Sequence, residues 1–217
     1  MVIKELKRMY FDRKCKITFI CHGATIYTEE HRFSDIENYP QLSDLGQEEI
    51  ERICDFLKRR GVKNDVIYTS AGARTLQTAK MIAKLYKQNY EVIEDLKPRK
   101  CGKLNGLTLE QIENKFPNFL EKWFNKADYD EELEAESIED FIKHTKKTIN
   151  ELVEKNIGNR IIIVTYPEVI QAVICDVLGM PSDKIAKMFI KTGSATQISY
   201  YEKWASVVYA DYVPLSS

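Results

Sequence analysis

Short apolar runs alternate along this chain with longer stretches in which apolar positions recur every three or four residues. The short runs are rich in β-branched and aromatic side chains, which suit the pleated surface of a sheet, so they predict strands. They cover residues 16–20, 65–70, 90–96 and 160–166. The last run has unbroken Ile and Val, a pattern typical of a strand that is buried on both faces in a parallel sheet.

The longer stretches predict amphipathic helices. In the first of them Ile50, Ile53 and Leu57 share one helical face, and Gly61 is suited to end the helix. The predicted helices cover residues 42–61, 73–88, 108–156 and 168–179.

The alternation of strands and helices predicts an α/β fold with a mostly parallel sheet. Two late runs, 195–202 and 205–212, predict a hairpin. The chain has no internal repeat, low-complexity tract or Pro/Gly/Ser-rich linker. We therefore expect one domain over residues 1–217, with residues 1–14 as an N-terminal extension.

The charge balance and the lengths of the apolar runs limit the classes of binding partner that we expect. The chain has 32 basic and 33 acidic side chains, so no overall field favours nucleic acid or an anionic membrane. No apolar run reaches the roughly 18 residues of a membrane span, and the N-terminus lacks the apolar core of a signal peptide. We expect a cytoplasmic protein without a nucleic acid or membrane partner.

The cysteines and histidines form no disulfide or metal pattern. The five cysteines are scattered, odd in number and without a CxxC pair. The three histidines, His22, His31 and His144, lack ligand spacing. We expect free thiols, no bound metal and no cofactor.

The loops that follow the predicted strands are the expected place for chemistry, because ligands of open α/β sheets bind beyond the carboxyl ends of the strands. His22 follows the first strand, and Arg74 opens the helix after the second. An arginine fork beside the N-terminal amides of a helix suits a phosphate or carboxylate. A histidine and an arginine that meet in one cleft therefore indicate phosphoryl chemistry.

Six segments occur along the chain in an order that points to a family: CHGAT, QLSDLG, IYTSAGARTLQTA, CGKLNG, AES and IIIVTYPEVIQAVI. Together they resemble the histidine phosphatase superfamily, which includes the cofactor-dependent phosphoglycerate mutases. That family has Arg-His-Gly after its first strand, then a Pro-Leu-(Ser/Thr)-x-x-Gly segment and an Arg-Ala-x-x-Thr-Ala block. A carboxylate near a Gly-x-x-x-Gly stretch and a late His-Gly-Gly complete the pattern.

The resemblance implies a three-layer α/β/α fold with a helical cap insertion, here at about residues 97–135. It also implies transfer of a phosphoryl group to a histidine, then to water or a second hydroxyl. His22 falls at the nucleophile, Arg74 at a phosphate-binding arginine and Arg32 at an arginine near the substrate entrance. The expected ligand is a small phosphorylated or otherwise anionic molecule.

The chain departs from the family pattern at several of the site positions. Cys21 stands where the family has the first arginine, and Thr28 where it has an asparagine. Pro98 occupies the position of the carboxylate that protonates the leaving group. Tyr166 replaces the second histidine, and Pro167-Glu168 replace its two glycines. Cys21, Thr28 and Tyr166 remain predicted phosphate or substrate ligands at these positions.

These departures predict weak catalysis. Loss of one donor that stabilises transition-state charge costs about 100- to 1000-fold in rate, and loss of a general acid costs roughly 100- to 10,000-fold. A carboxylate at Glu168 would also repel a phosphate dianion if it faced the cleft. Nearby side chains offer replacements for the missing cation, namely Lys97, Arg99, Lys100 and Lys103, and for the missing acid, namely Glu94, Asp95 and Glu168.

We interpret the chain as a histidine phosphatase-like protein with a degraded, catalytically impaired site that retains phosphate or other anion binding. Two alternatives stay open. One is an active phosphomonoesterase or mutase-like enzyme in which His22 accepts the phosphoryl group. The other is a non-catalytic interaction protein whose working surface is the charged region 108–156.

Overall fold

A computed structural model describes residues 3, 5–7, 11–35, 40–126 and 133–215 of the chain. Within these ranges one sheet of six strands forms the centre of the molecule. Its strands are β1 (Cys15–Cys21), β2 (Val66–Thr69), β3 (Tyr90–Val92), β4 (Arg160–Thr165), β5 (Ala195–Tyr200) and β6 (Ala205–Tyr212).

The strand order is β3-β2-β4-β1-β5-β6. The first four strands in that order pair in parallel, whereas β5 and β6 form an antiparallel hairpin at one edge. In the centre of the sheet Ile17 of β1 lies between Ile161 of β4 and Ile198 of β5. The predicted mostly parallel sheet and the predicted hairpin are confirmed. Because β1, β2 and β4 are parallel neighbours, the residues that follow them meet at one edge of the sheet.

Helices follow the strands in the predicted order. Their bounds are α1 (Ile26–Glu29), α2 (Asp44–Arg59), α3 (Ala73–Tyr86), α4 (Leu109–Lys115), α5 (Phe119–Lys126), α6 (Ile138–Lys155) and α7 (Pro167–Leu178). The N-cap of α2 is Ser43, whose side chain accepts a hydrogen bond from the Gly46 N–H. No helix among the described residues has the length and apolar character needed to cross a membrane.

The two faces of the sheet pack on different helices, because successive side chains of a strand point to opposite faces. On β4, Ile161 and Ile163 join a core cluster with α6 and α7. Ile162 and Val164, one residue out of step, join a second cluster with α2 and α3. The three-layer α/β/α architecture is therefore confirmed.

The region predicted as a cap contains a third, smaller apolar cluster, built on Cys101, Leu104, Ile112, Phe119 and Leu133. The ring of Phe33 packs against it, 5.9 Å from the rings of both Phe119 and Trp123. Arg32 forms an isolated backbone bridge with Thr108. The segment after α1 and the insert region are thus joined by apolar and backbone contacts.

Two predicted elements differ from the structure. The strand predicted over 90–96 ends at Val92 and is followed by a 3-10 turn over Glu94–Leu96. Val92 pairs with Thr69, the last residue of β2, so the chain beyond Val92 has no neighbouring strand to pair with.

The helical stretch predicted over 108–156 is also divided. α4 ends at Lys115 just before Phe116-Pro117, where the proline ring disfavours helical backbone at the preceding residue. Asn118 then adopts a left-handed conformation, with φ of 66°, before α5 begins. Residues 127–132 of this predicted helix lie outside the described residues.

Candidate functional site

The loop between β1 and α1 carries His22 and is closely held by its neighbours. The His22 N–H donates to the Thr165 carbonyl at 3.1 Å, and the Gly193 N–H donates to the His22 carbonyl at 3.0 Å. The loop lies directly on the first turn of α2: a Cβ on Gly23 would come within 2.3 Å of the Gly46 carbonyl oxygen. The glycine of CHGAT and the glycine of QLSDLG therefore serve one close contact.

The imidazole of His22 is buried and has a defined tautomer. Its Nδ1 lies 2.8 Å from the carbonyl oxygen of Gly23, which can only accept, so Nδ1 carries the proton. Its Nε2 accepts a hydrogen bond from Nε of Arg74 at 3.2 Å. Burial and the adjacent Arg74 charge lower the pKa of His22 to about 3. The ring is therefore neutral near pH 7, with the Nε2 lone pair directed toward the cleft arginine.

Arg74 is buried in the first turn of α3, where the second strand delivers it to the same edge of the sheet. Besides its contact with His22, Nη1 donates to the Ser34 hydroxyl at 3.3 Å and Nη2 to the Ser34 carbonyl at 3.4 Å. The guanidinium also lies 4.6 Å from the ring centroid of Tyr166. The predicted meeting of a histidine and an arginine in one cleft is thus present in the structure.

Tyr166 is the third predicted site residue that the structure brings to this point. It follows β4, and its buried ring meets the His22 ring edge-on at a centroid distance of 5.5 Å. Its hydroxyl reaches the loop after β2, because a Cβ on Gly72 would lie 2.0 Å from the hydroxyl oxygen. Tyr166 therefore fills the space between the ends of β4 and β2 and covers one face of Arg74.

Cys21 is placed differently. Its side chain is fully buried in the core cluster on the α6 and α7 side of the sheet, and it does not line the cavity as the described residues define it. Burial raises the pKa of its thiol well above the ordinary range, with nearby carboxylates, Glu168 first, adding to that effect. The thiol is therefore neutral. It does not provide a cation beside the His22 ring.

Thr28 and Arg32 line the cavity, but their polar groups are engaged locally. The Thr28 hydroxyl accepts from the Thr25 N–H at 2.8 Å and donates to the Thr25 carbonyl at 2.9 Å, which closes a capping box for α1. Nε of Arg32 pairs with Glu30, and Nη1 donates to the Gly106 carbonyl at 2.8 Å. Arg32 thus connects the loop after α1 to the insert region.

Among the replacement cations, the structure singles out Arg99. Its side chain is buried and lines the same cavity as Arg74. Its Nε donates to the Glu136 carbonyl at 2.8 Å, and its guanidinium lies 5.5 Å from the Trp123 ring centroid. The three lysines of the same loop, Lys97, Lys100 and Lys103, are exposed and do not line the cavity. Nothing in the local sequence distinguishes Arg99 from those neighbours.

Glu168 is the replacement acid that reaches the cavity. It lies in the first turn of α7 and lines the cavity together with Arg74 and Arg99. Burial raises the pKa of its carboxyl and outweighs the opposing effects of its own N–H and of the two guanidinium groups. A protonated carboxyl would donate a hydrogen bond to a phosphate oxygen instead of repelling it. The other two acids, Glu94 and Asp95, are exposed outside the cavity.

Three residues of the site have no clear signal in the sequence. Ser34 holds both terminal nitrogens of Arg74. Glu49 accepts from the Ala24 N–H at 2.8 Å and from the Thr192 hydroxyl at 3.0 Å, so it ties the His22 loop to the segment before β5. Gly72 provides room for the Tyr166 hydroxyl. Each contact joins segments that are far apart along the chain, and no local pattern records it.

A cavity of about 730 Å³ connects these groups. It opens beyond the carboxyl ends of β1, β2 and β4, as expected for an α/β sheet. His22, Arg74, Arg99, Tyr166 and Glu168 form its inner end, whereas its outer walls are mostly apolar and come from α1, α4, α5 and residues 185–190. Among the described residues no cluster of three or more His, Cys, Asp or Glu side chains is arranged to hold a metal ion.

The fold and the residues at the ends of its strands agree with the class of protein indicated by a family comparison. The family model of the histidine phosphatase superfamily (branch 1) matches residues 17–211. The chain belongs to that superfamily.

Relatives cover most of the chain at low identity. Phosphoglycerate mutase-like protein 4 of Arabidopsis thaliana is 24% identical over 201 residues, with 90% of this chain and 85% of the relative covered. Phosphoserine phosphatase 1 of Hydrogenobacter thermophilus is 24% identical over 171 residues, with 78% and 79% covered. The solved structure of mycobacterial glucosyl-3-phosphoglycerate phosphatase superposes with a TM-score of 0.82 at 21% identity, covering 92% of this chain and 99% of that one. At that identity the structural likeness shows the fold alone.

Proposed function

We propose that this chain binds a phosphomonoester or a related small phosphate anion between His22 and Arg74, and that phosphoryl transfer at this site is strongly slowed. The observation that carries the proposal is the 3.2 Å contact between Nε of Arg74 and Nε2 of His22 inside the cavity. It supports a site that keeps the nucleophile position and one fixed cation together.

Anion binding is supported by the charge and hydrogen bonding of the inner end of the cavity. A guanidinium has five N–H donors in a planar fork that matches phosphate oxygens. A phosphate that takes over the Nε hydrogen bond of Arg74 leaves the Nε2 lone pair of His22 facing phosphorus. Arg99 adds a second buried cation to the same cavity.

Slow phosphoryl transfer is supported by the residues that surround His22 and Arg74. When the bond from His22 Nε2 to phosphorus forms and the ester P–O bond breaks, negative charge spreads over the phosphoryl oxygens and the leaving oxygen needs a proton. The family pattern places a carboxylate at Pro98 and a histidine at Tyr166. Proline has neither an ionisable group nor an N–H, and the phenol of Tyr166 does not become a cation as an imidazole does. Because such groups act as a unit, their separate costs do not simply add.

The second candidate function is an active phosphomonoesterase with rearranged groups, and one observation favours it. Glu168 lines the same cavity as Arg74, and burial raises the pKa of its carboxyl, which suits a proton donor to the leaving oxygen. In this reading the acid is delivered by the first turn of α7 instead of by the loop at Pro98.

Turnover of p-nitrophenyl phosphate distinguishes the slowed site from an active phosphomonoesterase. We expect a turnover number well below 1 per second, which is below the usual enzyme range of about 1–1000 per second. A turnover number of about 1 per second or more that is abolished by both His22→Ala and Glu168→Gln would establish the second candidate instead.

Calorimetry with inorganic phosphate tests the binding part. Arg74→Ala should weaken phosphate binding by about 10- to 100-fold, since a hydrogen-bonded charge contact is lost. The matched control is Arg59→Ala, which removes an exposed arginine at the end of α2 and should leave the affinity unchanged. Equal affinities for the wild type and Arg74→Ala would refute the proposed site.

A further inference from the structure

The outer part of the cavity has a chemistry that phosphate binding alone does not require. Its walls carry the aromatic side chains of Tyr27, Phe33, Trp123, Phe124 and Phe189. They also carry aliphatic side chains, among them Leu45, Leu109, Met188 and Ile190. A site for a phosphate and a few hydrophilic atoms gains little from such walls.

Four of these wall residues are also exposed to solvent. The exposed fractions are 38% for Leu109, 42% for Leu45, 40% for Phe124 and 73% for Phe189. They come from four separate parts of the chain, namely the first turn of α2, the first turn of α4, α5, and the segment before β5. A cluster of exposed apolar side chains around a cavity mouth is typical of a ligand-binding surface.

The charged side chains that line the outer cavity have both signs. Arg32 is paired with Glu30, and Arg99 lies against Trp123 with its Nε on the Glu136 carbonyl. Glu29 and Glu49 add carboxylates to the lining, and Lys191 adds a cation. These charges do not decide whether the ligand has a second anionic group, so the apolar walls carry the assignment of the ester group.

The size of the cavity leaves room for a large ester group. At about 730 Å³ it lies within the range of roughly 300–1000 Å³ in which pockets enclose drug-sized ligands. One phosphoryl group held by His22 and Arg74 leaves most of this space for the remainder of the molecule.

We propose that the ligand is an aryl phosphate, with its phosphate between His22 and Arg74 and its aromatic group against Phe124, Phe189 and Leu109. This inference rests on the proposed function, because it assigns the ester group of the same ligand. An aromatic group is favoured over an alkyl chain since the walls offer ring faces and edges, and aromatic pairs gain stabilisation beyond the area that they bury.

Phosphonates test this proposal without hydrolysis. Binding of methylphosphonate, octylphosphonate and 1-naphthylphosphonate is measured by calorimetry with the wild type. We expect 1-naphthylphosphonate to bind about 10- to 100-fold more tightly than methylphosphonate, from the apolar area that the ring buries. Octylphosphonate should gain less. If octylphosphonate binds as tightly as the naphthyl compound or more tightly, the aromatic assignment is wrong.

Surface variants locate the aromatic group. Phe189→Ser and Phe124→Ser should each lower 1-naphthylphosphonate affinity by about three- to tenfold and leave methylphosphonate affinity unchanged. The matched control is Phe11→Ser, because Phe11 is 75% exposed and does not line the cavity as the described residues define it. A naphthyl gain that both cavity variants leave intact would overturn the location.

The failures of the two proposals are distinguishable. If both phosphonates depend on Arg74 but the naphthyl compound binds no better than the methyl compound, the substrate class is wrong while the phosphate site stands. If neither binds, or if binding is unaffected by Arg74→Ala, the proposed function itself fails and this inference fails with it.

Discussion

The two sides of the cavity differ in how closely they follow the family pattern. On one side the His22 loop and the start of α3 keep a histidine, an arginine and the two glycines that let the loop lie on α2. On the other side the ends of β4 and of the 3-10 turn after β3 present Tyr166, Glu168 and Arg99. His22, Arg74, Tyr166 and Arg99 are buried, and Glu168 is half-buried. The comparison teaches that the strand-end loops can hold a close histidine–arginine contact while the residues on the opposite side of the cavity differ from the expected pattern.

The largest expected effect concerns the protonation of His22. Its folded-state pKa is lowered to about 3 from the ordinary value of 6.5, so the unfolded chain binds more protons between these values. Its contribution to stability is full above about pH 6.5 and is lost as the pH falls toward 3, at about 1.4 kcal/mol per pH unit or roughly 4–5 kcal/mol in all. Urea unfolding at several pH values checks this.

The comparison variant for that measurement is His22→Asn, which can keep contacts to Gly23 and Arg74 without titrating. The difference in unfolding free energy between wild type and variant should shrink as the pH falls below 6.5. Parallel curves for the two proteins would mean that the His22 ring is not held in its neutral form by the fold.

The next effect tests the close contact beneath the His22 loop. Gly46→Ala should destabilise the protein by about 1–3 kcal/mol, because the new Cβ would lie 2.0 Å from the Ala24 carbonyl oxygen. Helix propensity alone predicts the opposite sign, by up to about 1 kcal/mol. The control is Gln47→Ala, an exposed neighbour in the same helix. Urea denaturation of both variants decides the sign, and a stabilised Gly46→Ala would contradict the contact.

A smaller effect tests whether Tyr166, on the second side of the cavity, limits the rate of phosphoryl transfer. Tyr166→His would place an imidazole near the phosphoryl oxygens and should raise the turnover of p-nitrophenyl phosphate about tenfold, or about 1.4 kcal/mol in the barrier. The same change in a His22→Ala background should give no increase. Unchanged turnover in the single variant would place the limitation elsewhere, at Pro98 above all.

The smallest effect separates a cavity-lining residue from a binding residue. Thr28→Val should cost about 0.5–1.5 kcal/mol in stability, because its hydroxyl caps α1 through Thr25. It should change phosphate affinity by less than about twofold, in contrast to Arg74→Ala. A tenfold loss of affinity measured by calorimetry would show that Thr28 binds the anion after all.

Much of the fold was predictable because its signals are local. Burial of an element leaves a pattern in its own residues. In β4 the pattern is an unbroken apolar run, and in α2 it is the helical spacing of Ile50, Ile53 and Leu57. The end of β3 at Val92 was not predictable, because it depends on where its partner β2 ends.

The sequence alone determined the order of the elements, the family and the two residues at the centre of the site, His22 and Arg74. These properties follow from periodicity and from short motifs that each lie on one segment. Only the tertiary structure decided that Arg99 and not its lysine neighbours lines the cavity, that Glu168 faces it, and that Cys21 lies behind it in the core. The physical reason is that burial, and with it the charge state of each group, depends on segments that meet only when the sheet has formed.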